Sequence, residues 1–158
     1  MSWLLCFSEM VTGYENGTTP NPDVLCNKYI KFGAFYNYVV NNMDVDALAT
    51  GHYAQNSYGN YLQNRHEGNA RLLMAEDRWK CQTPFLAQIS QQALQNTMFP
   101  VGDLLKKSVK EIALASGLHK IVKKKEVGFL WCSGWVPHDI AVRLELIVAL
   151  CVAHYRQH

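Results

Sequence analysis

The sequence predicts an α/β fold organised on a parallel sheet, and three observations predict it. A proline-capped helix opens near residue 22, a short apolar strand follows at residues 47–50, and that strand ends in Gly51-His52-Tyr53. A helix, a tight turn and a buried strand in succession is the layout of an α/β unit. The chain has 158 residues, 49% hydrophobic and 18% charged, enough for one domain with its own core. Fifteen Lys and Arg against thirteen Asp and Glu leave a net charge of +2, which does not by itself demand a nucleic-acid partner.

Each element has a local reason. Residues 13–21 are rich in Gly, Asn, Thr and Pro and read as a turn. Asn21 is the N-cap and Pro22 the first residue of a helix running to about Asn41, with Leu25, Tyr29, Phe32, Phe35 and Val39 along one face. Asp44 to Asp46 break it, and Ala47 to Thr50 form the buried strand. Residues 58–64 and 70–74 flank His66-Glu67-Gly68-Asn69 and read as a β-hairpin. A helix is expected from Phe85 to Met98, closed by Phe99-Pro100-Val101-Gly102. A second, capped by Asp103, spans Leu104 to Ser116 and stops at Gly117. Leu118 to Val122 reads as a short strand. Residues 127–158 form an apolar tail expected to end in a helix from Asp139 to Tyr155.

The five cysteines (Cys6, Cys26, Cys81, Cys132, Cys151) are odd in number and never arranged as C-x-x-C, which is a poor disulfide framework and points to a reducing compartment. The longest apolar stretch, Ile140 to Tyr155, contains Arg143, Glu145 and His154 and is shorter than the roughly 20 residues of a membrane span. No membrane segment is expected. The N-terminal residues lack the basic character of a signal or transit peptide. Cys151, His154 and His158 share a helical face, but a structural zinc site takes four protein ligands and no fourth is evident, so no metal site is assigned.

The stretch from Thr19 to Lys28 carries the most chemistry. Asp23 and Cys26 stand three apart in the first turns of one helix. A thiol there has its thiolate favoured by the helix dipole, and Lys28 adds positive charge nearby. A carboxylate one turn away is placed to move a proton. The plainer alternative is a buried structural cysteine with Asp23 as the helix's N-terminal charge partner. Seven lysines (106, 107, 110, 120, 123, 124 and 125) fall within residues 106–125 against one acid, Glu111. Such a cluster suits phosphate backbones, the alternative being a solvated helix face.

Three blocks in order sharpen this reading. Thr19-Pro-Asn-Pro-Asp-Val-Leu-Cys-Asn-Lys-Tyr-Ile-Lys-Phe32, Asp46-Ala-Leu-Ala-Thr-Gly-His-Tyr-Ala54 and Asp77-Arg-Trp-Lys-Cys-Gln-Thr-Pro-Phe-Leu86 closely resemble segments of the tRNA-specific 2-thiouridylases (the MnmA/TRMU family). Phe99-Pro-Val-Gly102 and the lysine-rich segment continue the likeness, which covers residues 7–126. The resemblance implies part of an adenine nucleotide alpha hydrolase-like domain (a PP-loop ATPase, Rossmann-like) with a small β-hairpin and a helical insertion. It implies an enzyme that uses ATP, with Mg2+, to adenylate the C2 oxygen of the wobble uridine of tRNA. Persulfide sulfur, delivered by a sulfur-donor protein, then replaces that oxygen, a relay that implies transient disulfide bonding. By matching position, Cys26 resembles the nucleophilic cysteine and Asp23 the nearby acid/base carboxylate. Gly51 and His52 match the nucleotide and substrate loop at the strand end, where α/β sheets bind ligands. Asn21, Lys80, Gln82, Lys123, Lys124 and Lys125 match positions implied to meet tRNA, whose target base must leave its stack.

Departures from the family pattern are equally specific. Residues 1–126 read as a partial catalytic domain without the family's glycine-rich phosphate loop. Position 81 is Cys where the family has Asp. In Val127-Gly-Phe-Leu-Trp-Cys132, two extra residues precede the thiol relative to the family's second cysteine, so Cys132 is a doubtful relay residue, and no Cys26–Cys132 disulfide is expected. Spellings such as Ser90-Gln-Gln-Ala-Leu94 look like the animal mitochondrial branch, which implies a mitochondrial location, the cytoplasm being the alternative. The rival readings are a catalytically inactive tRNA-binding or regulatory fragment, and an unrelated cysteine-dependent transferase.

Overall fold

A computed structural model describes residues 2–60 and 68–122. Lys123 to Lys125, Cys132, the expected helix 139–155 and the Cys151, His154, His158 group lie outside the described residues, as does the expected hairpin's middle.

The chain opens with α1 (Ser2–Glu15), an element the sequence pattern does not predict. A helix then runs through three consecutive segments, α2 (Pro22–Cys26), a π-helical stretch (Asn27–Phe35) and α3 (Tyr36–Asn42). Its start is as expected: Pro22 takes the first turn and Asn21 Oδ1 accepts from the Asp23 and Val24 amides at 2.9 and 3.4 Å. Its buried face differs from simple α periodicity. Leu25, Phe32 and Val39 are buried as predicted, but Tyr36 is buried while Phe35 only packs against the core. Tyr29 lies on the α1 side and donates its hydroxyl to Glu9. The wider π turn aligns residues five apart, so Asn27 and Phe32 are buried together.

Strand β1 (Leu48–Ala49) pairs in parallel with β4 (Thr97–Met98), in the register Leu48↔Thr97 and Ala49↔Met98. The α/β class with a parallel pair is therefore present in a small sheet. Between them in sequence, a separate antiparallel pair is formed by β2 (Ala54–Asn56) and β3 (Leu72–Met74). The strand that pairs with β3 is thus 54–56; of the expected 58–64, residues 58–60 are a turn and 61–64 lie outside the described residues. Asn56 Oδ1 accepts from the Tyr58 amide at 3.0 Å, turning residues 57–60 out of the strand.

The helix expected over 85–98 is three elements: a 3-10 turn (Thr83–Leu86), α4 (Gln91–Gln95) and β4. Ser90 re-caps the chain, accepting from the Ala93 amide at 3.1 Å. Leu86, Ala93 and Leu94 share one core, which mimics helical spacing across a break. Helix α5 (Lys106–Ala115) begins later than expected, with Leu105 at the N-cap position, and the side chain that serves its first amide is Asp77 rather than Asp103. Asp77 Oδ2 accepts from the Lys106 amide at 3.0 Å. Gly117, at φ +79°, ends α5 in a Schellman arrangement, with Leu118 N bonding Ala113 O at 2.9 Å and Gly117 N bonding Leu114 O at 3.0 Å. That reversal leads into α6 (His119–Val122), where a strand was expected.

The core joins the long helix to both strand pairs through Phe32, Tyr36, Leu48, Ala54, Tyr58, Leu86, Leu94 and Phe99. Each large apolar side chain among them contributes roughly 1.5–3 kcal/mol of burial. A buried polar knot fixes their mutual placement. Asn56 Nδ2 donates to Thr97 O at 2.7 Å, and Thr97 Oγ1 donates to Ala93 O at 2.7 Å. Gly102 is required by close approach, since a Cβ there would lie 1.9 Å from the Ala54 carbonyl oxygen.

Candidate functional site

The carboxyl end of β1 and the π-helical segment meet at one place. His52, two residues beyond the Thr50 that follows β1, points its ring at that segment. Its Nδ1 is 2.7 Å from Thr50 Oγ1 and its Nε2 is 3.3 Å from Lys31 Nζ. Phe32 tilts against the imidazole, with centroids 5.7 Å apart. A lysine ammonium only donates, so His52 Nε2 is the acceptor and Nδ1 holds the proton facing Thr50. Burial first, and then the Lys31 charge, push the His52 pKa down to about 3. The ring is therefore neutral at physiological pH.

Cys26 sits where α2 passes into the π-helical segment, and it is half-buried. Burial pushes its thiol up, the Lys31 charge opposes the rise, and Asp23 adds to it. The expectation of a thiol activated by the helix start and by Lys28 is corrected on both counts. Desolvation outweighs the local positive field, and the cation that acts on the sulfur is Lys31. Lys28 turns to α1, with its Nζ 3.8 Å from Glu9 Oε1 and 4.5 Å from the centre of the Tyr29 ring. Next to Cys26, Asn27 is 2% exposed; its Nδ2 donates to Phe85 O at 2.9 Å, while its buried Oδ1 has no hydrogen-bond partner among the described residues.

The third sequence block folds back onto the same strand end. Gln82 N donates to Tyr53 O at 2.7 Å, and Gln82 Oε1 accepts from Tyr53 N at 3.0 Å. This paired bond fastens the 77–82 turn beside His52. Asp77 tightens the turn, its Oδ1 accepting from Trp79 N at 3.1 Å and its carbonyl from Lys80 N at 3.1 Å. Lys80 is exposed, and Trp79 beside it is 96% exposed. Cys81, the departure from the family pattern, has its Sγ 3.3 Å from Thr83 Oγ1. Burial acts to raise its pKa but is outweighed by the Thr83 hydrogen bonds, with Ala75 and Arg78 assisting, so the thiol is held below its ordinary value.

The structure thus gathers Cys26, His52 and Gln82 with their supports, and puts Lys80 on the adjoining rim. Asp23 lies in the first turn of α2, and the Asn21 side chain is engaged in capping. Sequence reasoning does not single out Lys31 or Trp79. Lys31 has one signal, its position five residues after Cys26, a spacing that a π turn brings toward one side of the helix. Gly51 is exposed, and a Cβ built there meets nothing within 4 Å, so the strand end is open rather than a closely fitted phosphate cradle. Among the described residues no group of three or more His, Cys, Asp or Glu is placed to hold a metal ion. Among the described residues this strand end supplies neither a close-fitting cradle for ATP phosphates nor a carboxylate cluster for Mg2+. No helix among the described residues is long and apolar enough to cross a membrane.

Comparison with known proteins follows the same residues. A family model described as the tRNA methyl transferase HUP domain matches residues 3–130. The mitochondrial tRNA-specific 2-thiouridylase 1 of Drosophila melanogaster is 51% identical over 125 residues, covering 78% of this chain and 32% of that protein. The human protein of the same name is 44% identical over 140 residues, covering 78% and 33%. The tRNA-specific 2-thiouridylase MnmA of Malacoplasma penetrans is 47% identical over 126 residues, covering 80% and 33%. The chain spans about one third of the length of these curated relatives.

Proposed function

Because the chain belongs to the tRNA methyl transferase HUP domain family, we propose that it forms the cysteine-bearing part of a tRNA 2-thiouridylase, exchanging oxygen for sulfur at C2 of the wobble uridine. The observation that carries the reading is Lys31, whose charge acts on Cys26 and whose ammonium lies 3.3 Å from His52 Nε2 at the carboxyl end of a parallel strand, the end where α/β sheets place their ligands. Cys26 presents the sulfur nucleophile to the base, and Asp23, one turn earlier, accepts or returns a proton. The 77–82 turn forms the RNA-facing rim. Trp79 offers a face on which an unpaired base stacks, and Arg78 and Lys80 offer charge to phosphates. Lys123, Lys124 and Lys125 extend that charge along the chain. A mitochondrial location belongs to the same reading, supported by the names of the relatives, while ATP and a persulfide-donating protein enter it only as what the sequence resemblance implies.

Disrupting the gene for this chain and measuring 2-thiouridine in mitochondrial tRNA by nucleoside mass spectrometry tests the proposal. Loss of the nucleoside, restored by the parent gene and not by Cys26→Ala, is the expected result. Unchanged 2-thiouridine in the disrupted strain would overturn it. A second reading, an inactive tRNA-binding or regulatory fragment, is favoured by the raised Cys26 pKa. Under that reading Cys26→Ala restores function as well as the parent.

A further inference from the structure

Lys31 is the one charged side chain of the site to which the thiouridylase reading gives no task. In an α-helix, residues 26 and 31 would point about 140° apart at 3.6 residues per turn. The π-helical stretch Asn27–Phe35 narrows that divergence, because its i→i+5 turn takes more residues per turn and brings residue 31 toward the side of residue 26. Lys31 Nζ is then held 3.3 Å from His52 Nε2, and His52 is itself oriented by Thr50 Oγ1 at 2.7 Å and walled by Phe32. A flexible four-carbon side chain is thus tethered at its charged end.

We propose that Lys31 is the positioning residue for the Cys26 sulfur, its ammonium anchored on His52 Nε2 so as to hold that sulfur as an anion once the thiol gives up its proton. The anion is a thiolate or a persulfide, both of which carry one negative charge on sulfur. The inference rests on the thiouridylase reading for the identity of Cys26 as the nucleophile. Among the described residues, the charges that act on the thiol are those of Lys31 and Asp23. Asp23, on the same helix, acts on it in the opposite sense. Lys28 is engaged by Glu9 and Tyr29 on the α1 side. His52 arrives from the strand end and is neutral. The 3-10 turn Thr83–Leu86 contributes a backbone carbonyl to Asn27 and no charge. Lys31 is the one cation among them that lowers the Cys26 pKa, against the burial that raises it.

Alkylation of the full chain by iodoacetamide, followed across pH by peptide mapping, measures this directly. The thiolate attacks the methylene carbon and iodide leaves, so the rate follows the thiolate fraction. Lys31→Met is expected to move the Cys26 midpoint up by about one pH unit, roughly tenfold slower labelling near neutrality. Lys31→Arg, which keeps the cation, is expected to restore the midpoint. The Cys81 midpoint should stay where it is in both variants and serves as the internal check on the fold. If Lys31→Met also shifts Cys81, Lys31→Gln decides the matter, because it keeps a donor for His52 without the charge. A Cys26 midpoint that stays put in the uncharged variant, or an Arg variant that behaves like the Met variant, overturns the proposal. The labelling uses neither RNA nor nucleotide. An unshifted midpoint leaves the thiouridylase reading standing, and loss of that reading leaves the labelling result standing.

Discussion

At the scale of single residues, burial decides ionisation more than the neighbours visible in the sequence do. Cys26 follows a helix start and precedes Lys28, yet desolvation raises its pKa, while the more exposed Cys81 is lowered. Brief iodoacetamide treatment of the parent chain near neutral pH is therefore expected to label Cys81 ahead of Cys26, read by peptide mass spectrometry. Faster labelling of Cys26 would contradict the assignment. His52 supplies a second prediction. Its folded pKa, about 3, lies below the ordinary value of 6.5. Between those values the unfolded chain binds a proton that the folded chain refuses, so stability is complete above pH 6.5 and falls as the pH drops toward 3. Thermal melts of His52→Asn should show a shallower loss between neutral and mildly acid pH than the parent. Parallel curves would remove His52 as the source.

At the scale of elements, capping and close approach come from parts of the chain distant in sequence. Asp103 is the natural N-cap candidate for α5, but Asp77 serves its first amide from a turn 29 residues earlier. Asp77→Ala should destabilise the fold by about 1 kcal/mol, and Asp103→Ala by much less. Urea melts of the two variants distinguish them, and equal effects would restore the local cap. Gly102 is a sharper case. Its carbonyl accepts from Glu76 N and from Gln55 Nε2, at 2.8 and 2.9 Å, while a Cβ at this position would run into the Ala54 carbonyl. Gly102→Ala is expected to cost about 1–3 kcal/mol as β2 is forced away. An unchanged melting temperature would show that the contact relaxes freely.

At the scale of the whole molecule, the reading as an RNA enzyme predicts two separable contributions to tRNA affinity. Stacking on Trp79 is insensitive to salt, whereas lysines act by releasing counterions. Trp79→Ala should weaken tRNA binding by roughly 1–3 kcal/mol without altering the slope of log K against log salt. Replacing Lys123, Lys124 and Lys125 with Ala should flatten that slope by about 0.7–0.9 for each phosphate no longer neutralised. Filter binding over a salt series reads both. A slope untouched by the triple change would make the lysines a solvated face, and unchanged affinity in Trp79→Ala would remove the stacking contact.

Contiguous residues specify the helix start at Asn21-Pro22, the buried strand at Leu48-Ala49, the α/β class and the blocks that carry family membership. All of these are legible along the chain, through cap chemistry, apolar runs and short motifs. The break within 85–98 is not, because Leu86, Ala93 and Leu94 share a core and so keep helical spacing across two non-helical joints. Nor is α1, whose apolar residues Leu4, Leu5 and Phe7 are largely exposed and follow no inward face. Tertiary packing alone settles that the long helix widens into a π turn, that Lys31 rather than Lys28 faces Cys26, and that His52 is neutral. Those outcomes depend on which groups lose water and which charges end up within a few ångströms of each other. Both are properties of the packed chain, and no spacing along it encodes them.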